Sequence, residues 1–212
     1  MKQQITRTEI MALRAQMNPH FIFNCINSID SLIQSNDKYQ ATVYLNKFAR
    51  LIRNILDSSK HETITLARDL ETLQLYIDLE RFRNEDRFEV GIHFDERLLE
   101  EDYHVPPLIV QPYVENAIVH GLRNRPGNEG KLTIGISREE EYLVYRIEDN
   151  GVGRAAAASR SPHHSYGMEM SRDRVNLFNR ENREGTIPVL ITDLVKDGKP
   201  AGTRVQVSLK IS

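Results

Sequence analysis

The amino-acid sequence predicts an α+β protein in which a helical hairpin precedes an α/β sandwich. Up to about Lys60 the apolar residues recur at helical spacing, whereas later segments are separated by glycine-bearing turns. The later segments interleave helix-like and strand-like patterns, and they finish on two strand-like runs. This order predicts helices packed over one face of a mixed sheet. We therefore divide the chain into residues 1–63 and residues 64–212.

The composition excludes several classes of partner. The chain has 212 residues, 27% of them charged, and a formal net charge of −2. This balance gives no general attraction to nucleic acid or to an anionic membrane, so no direct nucleic-acid contact is predicted. The single cysteine, Cys25, excludes an intrachain disulfide and is typical of a reducing compartment. No apolar run approaches the roughly 20 residues that a membrane helix needs, so we expect these residues to be soluble.

Residues 1–63 predict two amphipathic helices. One carries apolar side chains along one side from Ile10 to Leu32, the other does so from Tyr44 to Leu56, and Ser35-Asn36-Asp37 forms a turn between them. Apolar faces this wide cannot be buried within a lone hairpin. We therefore expect a homodimer in which two hairpins associate as a four-helix bundle.

Residues 64–212 predict an alternation of helices and strands. Thr65 is expected to cap a helix over residues 66–83, and a Pro-Pro start favours another helix over residues 106–122. A third helix is expected over residues 167–179. The loop over residues 154–165 is rich in alanine, serine and histidine, which indicates mobility. Strands are predicted over residues 88–94, 132–136, 143–148, 189–194 and 204–211.

An acid followed by two glycines ends one of these strands. Asp149 is followed by Gly151 and Gly153, and glycines at such a position let the backbone turn sharply and approach a ligand. The carboxylate of Asp149 suits the exocyclic amine of a base such as adenine. By itself, however, this pattern is more often a tight turn.

Three further elements suit a nucleotide. Asn116 and His120 share one face of a predicted helix, where an amide oxygen could hold Mg²⁺ with a triphosphate, although taken singly they are more often surface residues. The run Ser165 to Met168 joins the mobile loop to a helix, and helix N-termini with glycine bind phosphate. Gly202-Thr203 leads into the last strand.

In this order and spacing the four elements resemble the GHKL ATPase superfamily, over about residues 66–212. The resemblance implies a Bergerat-type ATP-binding sandwich, in which Asn116 ligates Mg²⁺, Asp149 reads the adenine amine and Thr203 supports Asp149. Residues 154–165 would form the lid. A phosphate-binding loop of the G-x-x-x-x-G-K-[ST] type is absent from the sequence. The other nucleotide-binding residues that the resemblance implies are His120, Gly151, Gly153, Ser165, Gly167 and Met168.

The first predicted helix indicates which family within this superfamily the chain resembles. Residues 13–29, which contain Asn18-Pro19-His20, closely resemble the H-box of LytS-type sensor histidine kinases, and residues 106–118 resemble the N-box of the same family. This implies a protein-histidine kinase that transfers the γ-phosphoryl group of ATP to His20 and then to an aspartate of a response regulator, often one of the LytTR type. It also implies the cytoplasmic end of a longer, membrane-anchored protein.

The position of His20 suits this role. On an unbroken helix it lies at the edge of the apolar arc, so it can stay accessible while the helix packs. Pro19 removes a helical hydrogen bond, which predicts a kink. A lone histidine in a bundle helix is more often structural, but the Asn-Pro context and the downstream ATP motifs favour a phosphoacceptor. The neutral imidazole that the reaction needs is available at cytosolic pH.

Two departures from the family pattern keep other hypotheses open. Val119 stands where the family usually has lysine, and Ser165 stands where it commonly has glycine. A catalytically weak, dimeric nucleotide-binding module is therefore the alternative. A GHKL ATPase with a chaperone-like or DNA-repair role is a third hypothesis, but such a protein needs no Asn-Pro-His helix.

Overall fold

The computed structural model describes residues 19–85, 87–154, 166–180 and 188–211. Helix α1 (Pro19–Gln34) and helix α2 (Lys38–Ser58) form the predicted hairpin. Asn36, in the predicted turn, has a φ of 61°, a conformation that asparagine tolerates better than most residues. The residues before Pro19, including those that the predicted kink involves, lie outside the described residues.

Helix α3 (Leu66–Arg83) packs on both α1 and α2. Thr65 caps it as predicted, since its hydroxyl accepts a hydrogen bond from the N–H of Arg68 at 3.4 Å. The hydroxyl of Tyr44 on α2 donates to the sulfur of Cys25 on α1 and lies 3.5 Å from the carbonyl of Leu79 on α3. Most of α3 is buried, with few exposed positions, so it lies as a core helix between the hairpin and the sandwich.

Five strands form one mixed sheet, namely β2 (Phe88–Phe94), β4 (Gly130–Glu139), β5 (Tyr142–Asp149), β6 (Val189–Lys196) and β7 (Lys199–Lys210). Their order across the sheet is β2-β4-β5-β7-β6. The β2–β4 pair is parallel, and the other pairs are antiparallel. Strand β7 begins earlier than predicted because Asp197 and Gly198, with φ values of 52° and 72°, form a tight hairpin turn after β6. Two short strands, β1 (Ile64–Thr65) and β3 (His104–Val105), pair separately.

The helices cover the apolar face of this sheet, as predicted. One row of cross-strand partners on that face is aliphatic on all five strands, and it consists of Ile92, Ile134, Ile147, Val205 and Ile191. A short helix α4 (Arg97–Glu100) follows β2, and helix α6 (Tyr166–Arg180) packs on β7. The opposite face is polar, and Arg204 there binds Glu148 at 2.7 Å. The fold is therefore the expected α+β sandwich.

The helix predicted over residues 106–122 is wrong in its first part. Leu108 has a φ of 59°, and a right-handed helix cannot continue through a left-handed residue. Helix α5 begins only at Gln111 and spans Gln111–Asn116. It continues as a π-helix over Ala117–Leu122, in which the N–H of Arg123 donates to the carbonyl of Ile118. π-Helical turns are frequent at functional sites.

None of the helices within the described ranges is both long enough and apolar enough to cross a lipid bilayer.

Candidate functional site

Asp149 is an acid on the apolar face of the sheet. Because side chains alternate along a strand, Asp149 shares this face with Tyr145 and Ile147. It is only 5% exposed. Its Oδ1 accepts a hydrogen bond from the N–H of Gly151 at 2.8 Å. Burial raises the pKa of Asp149 to about 6, while hydrogen bonds from the backbone N–H groups of Gly151 and Thr203 oppose this shift. The carboxylate is therefore charged at neutral pH despite its burial.

Glycines let three chain segments approach Asp149. A Cβ atom on Gly121 would lie 2.9 Å from Oδ1 of Asp149, and one on Gly151 would lie 2.5 Å from the carbonyl carbon of Gly121. Gly202 has a φ of 130°, and a Cβ there would lie 1.9 Å from the carbonyl oxygen of Asp149. Side chains are thus excluded around the carboxylate. Gly121 is not among the predicted binding residues, although its place directly after His120 is a usable signal.

Thr203 lies opposite this acid across the sheet, and Gly153 packs on the start of the same strand as Thr203. Thr203 is buried and pairs directly with Asp149 in the β5–β7 register, so its backbone reaches the carboxylate. Gly153 has a φ of 77°, and a Cβ there would lie 2.9 Å from the Cβ of Pro200. The structure therefore brings together the predicted residues that flank Asp149 in the sequence and across the sheet.

Asn116 and His120 lie on the helix that reaches the same acid. Asn116 ends α5 and His120 lies in the π-helix, and both are half-buried. The next residue, Gly121, contacts the carboxylate of Asp149. No cluster of three histidine, cysteine or acidic side chains that could hold a metal occurs in the described part of the chain. The amide of Asn116 therefore fits Mg²⁺ only if a nucleotide supplies most of the oxygen ligands.

Gly167 and Met168 begin α6, which lies against α5. A Cβ on Gly167 would lie 3.6 Å from the Cβ of Pro112, and the hydroxyl of Tyr113 donates to the carbonyl of Met168 at 3.4 Å. The first turn of α6 thus faces the helix that carries Asn116. The predicted binding residue Ser165 and residues 155–164 of the predicted lid lie outside the described residues.

His20 lies on α1, away from the sheet. The residue is exposed, and the amide nitrogen of Asn24, one turn later, lies 3.0 Å from its Nδ1. The adjacent Phe21 is buried and packs on Tyr76 of α3 with the ring centroids 5.0 Å apart. Helical spacing thus anchors the helix while leaving the imidazole accessible. The sequence does not single out Asn24, because its contact becomes visible only on the folded helix.

Tyr76 packs on this part of α1, and a charge on α5 affects it. Burial raises the pKa of Tyr76, and the charges of Glu80 and Glu115 raise it further. Glu115 directly precedes Asn116. Thus the ring that supports the turn of His20 also lies within electrostatic reach of the helix that carries Asn116.

Comparison with known proteins finds a matching family and several relatives that agree with it. A family model described as histidine kinase matches residues 8–88. The chain is 35% identical over 151 residues to the sensor protein LytS of Staphylococcus epidermidis strain RP62A, covering 71% of this chain and 25% of that protein. It is 36% identical over 151 residues to the sensor histidine kinase BtsS of Escherichia coli K12, covering 70% of this chain and 26% of that protein. The chain thus spans about a quarter of the length of these relatives.

A third relative and a solved structure agree with these matches. The sensor histidine kinase/phosphatase LytS of Staphylococcus aureus strain Mu50 is 36% identical over 146 residues, covering 68% of this chain and 24% of that protein. The histidine kinase domain of the blue-light activated histidine kinase from Erythrobacter litoralis EL346 has a TM-score of 0.52 and 14% identity. The match covers 99% of this chain and 93% of that one. At this identity the structural match supports the fold alone.

Proposed function

Because this chain belongs to the LytS-type sensor histidine kinases of two-component systems, we propose that it is an ATP-dependent protein-histidine kinase. It binds Mg·ATP, phosphorylates His20 and passes the phosphoryl group to an aspartate of a response regulator. The main support is Asp149, an acid buried on an apolar sheet face and surrounded by glycine backbone. Such an arrangement costs folding free energy and suits a ligand that donates a hydrogen bond.

The proposed nucleotide site follows from this arrangement. Asp149 accepts a hydrogen bond from the adenine amine, Thr203 supports Asp149, and Asn116 supplies an oxygen to Mg²⁺. The contacts among α5, α6 and the glycine turn that follows Asp149 support this assignment, since they bring these segments to one end of the sandwich. The remaining residues proposed to line the site are His120, Gly151, Gly153, Ser165, Gly167 and Met168.

In the proposed reaction a ring nitrogen of His20 attacks the γ-phosphorus of ATP. A nitrogen–phosphorus bond forms as the bond to the ADP oxygen breaks, and the proton of the imidazole leaves to solvent. Mg²⁺ would neutralise charge on the phosphates, and catalysis would consist mainly of positioning. On this chain, Asn24 restricts the orientation of the imidazole, and Phe21 fixes the helix beneath it.

We propose that residues 1–63 are the dimerising and phosphotransfer unit and that residues 64–212 are the ATP-binding unit. Apolar side chains of α1 that remain exposed, such as Phe23 and Ile33, support homodimerisation. The family supports a response regulator as the downstream partner, and we propose one of the LytTR type. It also supports a cytoplasmic position for these residues within a membrane-anchored protein. Direct contact with nucleic acid is not part of the proposal.

The deciding experiment uses γ-labelled ATP with Mg²⁺. Wild-type protein should acquire label that is labile in acid and stable in base, as phosphohistidine is. His20→Gln should remove it, whereas His61→Gln, at an exposed position outside the site, should not. Added response-regulator receiver domain should then take up label from the wild type. Label that persists in His20→Gln would refute the assignment.

The second candidate is a dimeric nucleotide-binding module with little or no turnover. The half-buried Val119 in the π-helix favours it, because the family usually has a cation at this position. Measurable ATP binding without label on the wild type would support this module. Label that appears only in Val119→Lys would show that the missing cation limits turnover. The hypothesis of a chaperone-like or DNA-repair ATPase has no support in the relatives described above.

A further inference from the structure

Asp69 is a buried acid on α3 that the proposed chemistry does not use. It is 2% exposed, and its Oδ1 accepts a hydrogen bond from the backbone N–H of Leu108 at 3.1 Å. Its other oxygen, Oδ2, is buried and has no hydrogen-bond partner among the described residues. A buried carboxylate with an unpaired oxygen costs more than the apolar side chain that could replace it. Packing alone therefore does not explain an acid at this position.

Leu108 needs the support that Asp69 gives. Its φ of 59° is unfavourable for a residue with a side chain, by about 1–2 kcal/mol. Leu108 lies just before Gln111, the first residue of α5, so its conformation sets the direction in which α5 leaves the turn. Asp69 thus fixes the start of the helix that carries Asn116.

Helix α6 meets the same turn. The hydroxyl of Ser171 donates to the carbonyl of Ile109 at 2.5 Å, and Ser171 is buried. Burial lowers the pKa of Arg174, one turn later on α6, and the charge of Asp69 opposes this shift. Burial raises the pKa of Asp69 to about 6, whereas the Leu108 N–H and the charge of Arg174 lower it. At pH 7.5 the carboxylate is therefore ionised and can act on Arg174.

We infer that Asp69 is a positioning residue for the nucleotide, because it holds the turn before α5 against α3 and Ser171 of α6 is bonded to the same turn. This inference rests on the proposed function. We call Asp69, Leu108, Ser171 and Arg174 the Asp69 cluster. The cluster contacts two helices that carry residues proposed to bind the nucleotide. These residues are Asn116 at the end of α5 and Gly167 and Met168 in the first turn of α6. A loosened cluster would displace these ligands relative to Asp149 without removing any of them.

Three variants separate the two interactions of Asp69. Asp69→Asn keeps an oxygen for the Leu108 N–H but removes the charge, Asp69→Ala removes both, and Arg174→Met removes the partner on α6. Thr72→Val is the matched control. Thr72 is fully buried on the same helix, but its hydroxyl donates only to the carbonyl of Arg68 within α3.

The experiment measures ATP binding with Mg²⁺ by calorimetry and amide hydrogen exchange of the ATP-free protein. We expect Asp69→Ala to weaken ATP binding about tenfold, and Asp69→Asn and Arg174→Met to weaken it about threefold to fivefold. The double variant Asp69→Asn/Arg174→Met should bind ATP no more weakly than the weaker-binding single variant, because each substitution removes the same attraction between the two charges. Amides 108–113 and 167–175 should exchange faster in Asp69→Ala. Thr72→Val should lower the melting temperature yet keep the wild-type Kd.

The outcomes distinguish this inference from the proposed function. If the wild type binds ATP and the Asp69 and Arg174 variants bind equally well, the inference is overturned and the proposed function stands. Fully additive effects of Asp69→Asn and Arg174→Met would overturn it as well. If the wild type binds no ATP, the proposed function fails and the inference fails with it. Should Asp69→Ala not fold, Asp69→Asn and Arg174→Met still provide the test.

Discussion

Asp149 and Asp69 are buried acids whose pKa values burial raises to about 6. An unfolded chain would ionise each near pH 4. The folded protein therefore binds these protons more tightly than the unfolded chain does. Ionisation of either group lowers its stability progressively as the pH rises from about 4 to about 6, and the loss is complete above about pH 6. Both carboxylates reduce stability at neutral pH, which indicates that the fold retains them for binding or positioning rather than for stability.

Replacing Asp149 with asparagine should make the protein more stable and less able to bind nucleotide. At pH 7.5 we expect Asp149→Asn to raise the free energy of unfolding by about 3 kcal/mol, since burial raises the pKa from 3.8 to about 6 and a shift of one unit corresponds to about 1.4 kcal/mol. The gain should be complete above about pH 6 and shrink towards zero below about pH 4, where Asp149 is protonated in both states. Urea titrations at several pH values measure it. A gain that does not vary with pH would contradict the burial of a charged Asp149.

Gly202 tests how closely the backbone must approach Asp149. Gly202→Ala should destabilise the protein by more than about 3 kcal/mol, because the added Cβ meets the carbonyl oxygen of Asp149 and the φ of 130° disfavours a side chain. Gly135→Ala is the matched control within β4, where the nearest atom to an added Cβ is 4.0 Å away. It should be neutral or slightly stabilising. Similar melting temperatures for the two variants would argue against the close approach.

Among the elements, those with regular patterns are predictable from the sequence and those shaped by distant contacts are not. Hydrophobic alternation and turn residues predict all five strands of the sheet, and Thr65 predicts the start of α3. The helix predicted over residues 106–122 is wrong at its start because the left-handed Leu108 is held by Asp69, which is distant in sequence. Local propensity contains no information about such a contact.

The same distinction applies to the candidate site. Asp149, Gly151 and Gly153 lie within one short motif, and strand pairing places Thr203 opposite the acid, so sequence patterns suffice to group them. The approach of Gly121 to Asp149 depends on how the π-helix meets the sheet. The sequence marks Gly121 only by its place after His120, and the Asp69 cluster has no signature in the local sequence, so the contacts themselves become visible only in the folded chain.

At the scale of helices, the contact between α2 and α3 is mainly apolar. Its ion pairs, Lys47 with Asp78, Arg50 with Glu71 and Arg68 with Asp57, are partly exposed and contribute up to about 1 kcal/mol each. Leu51 on α2 is 0% exposed. Burial of α2 side chains should therefore dominate the attachment of the hairpin.

Leu51→Ala should cost about 2–5 kcal/mol of unfolding free energy, because it leaves a cavity in the core. Leu177→Ala, at an exposed position on α6, should cost less than about 1 kcal/mol. Urea denaturation measures both. If the hairpin unfolded separately from the rest, Leu51→Ala would shift only an early transition and leave the later one unchanged. We expect instead that the whole transition shifts, because α3 contacts the hairpin and also belongs to the main core.

In the whole molecule, packing on α3 buries only one side of α1. Phe21 and Cys25 are buried against their neighbours, whereas Phe23, Ile26 and Ile33 are 65%, 49% and 60% exposed. Exposed apolar residues that recur along a single helix indicate an interface rather than chance exposure. This remaining surface suits association with a second copy of the same hairpin, because two identical apolar stripes are complementary to each other.

Ile26→Lys should therefore convert a dimer into a monomer without unfolding it. A charge placed within a closed apolar interface is destabilising, whereas on the free surface of a monomer it costs little. Analytical ultracentrifugation over a range of concentrations should show a dimeric wild type, a monomeric Ile26→Lys and unchanged circular dichroism. Leu177→Lys is the control, because it adds the same charge at an exposed leucine of α6. If the wild type stays monomeric at high concentration, the exposed apolar stripe no longer supports dimerisation. If Ile26→Lys dimerises as well as the wild type, the interface lies elsewhere on the molecule.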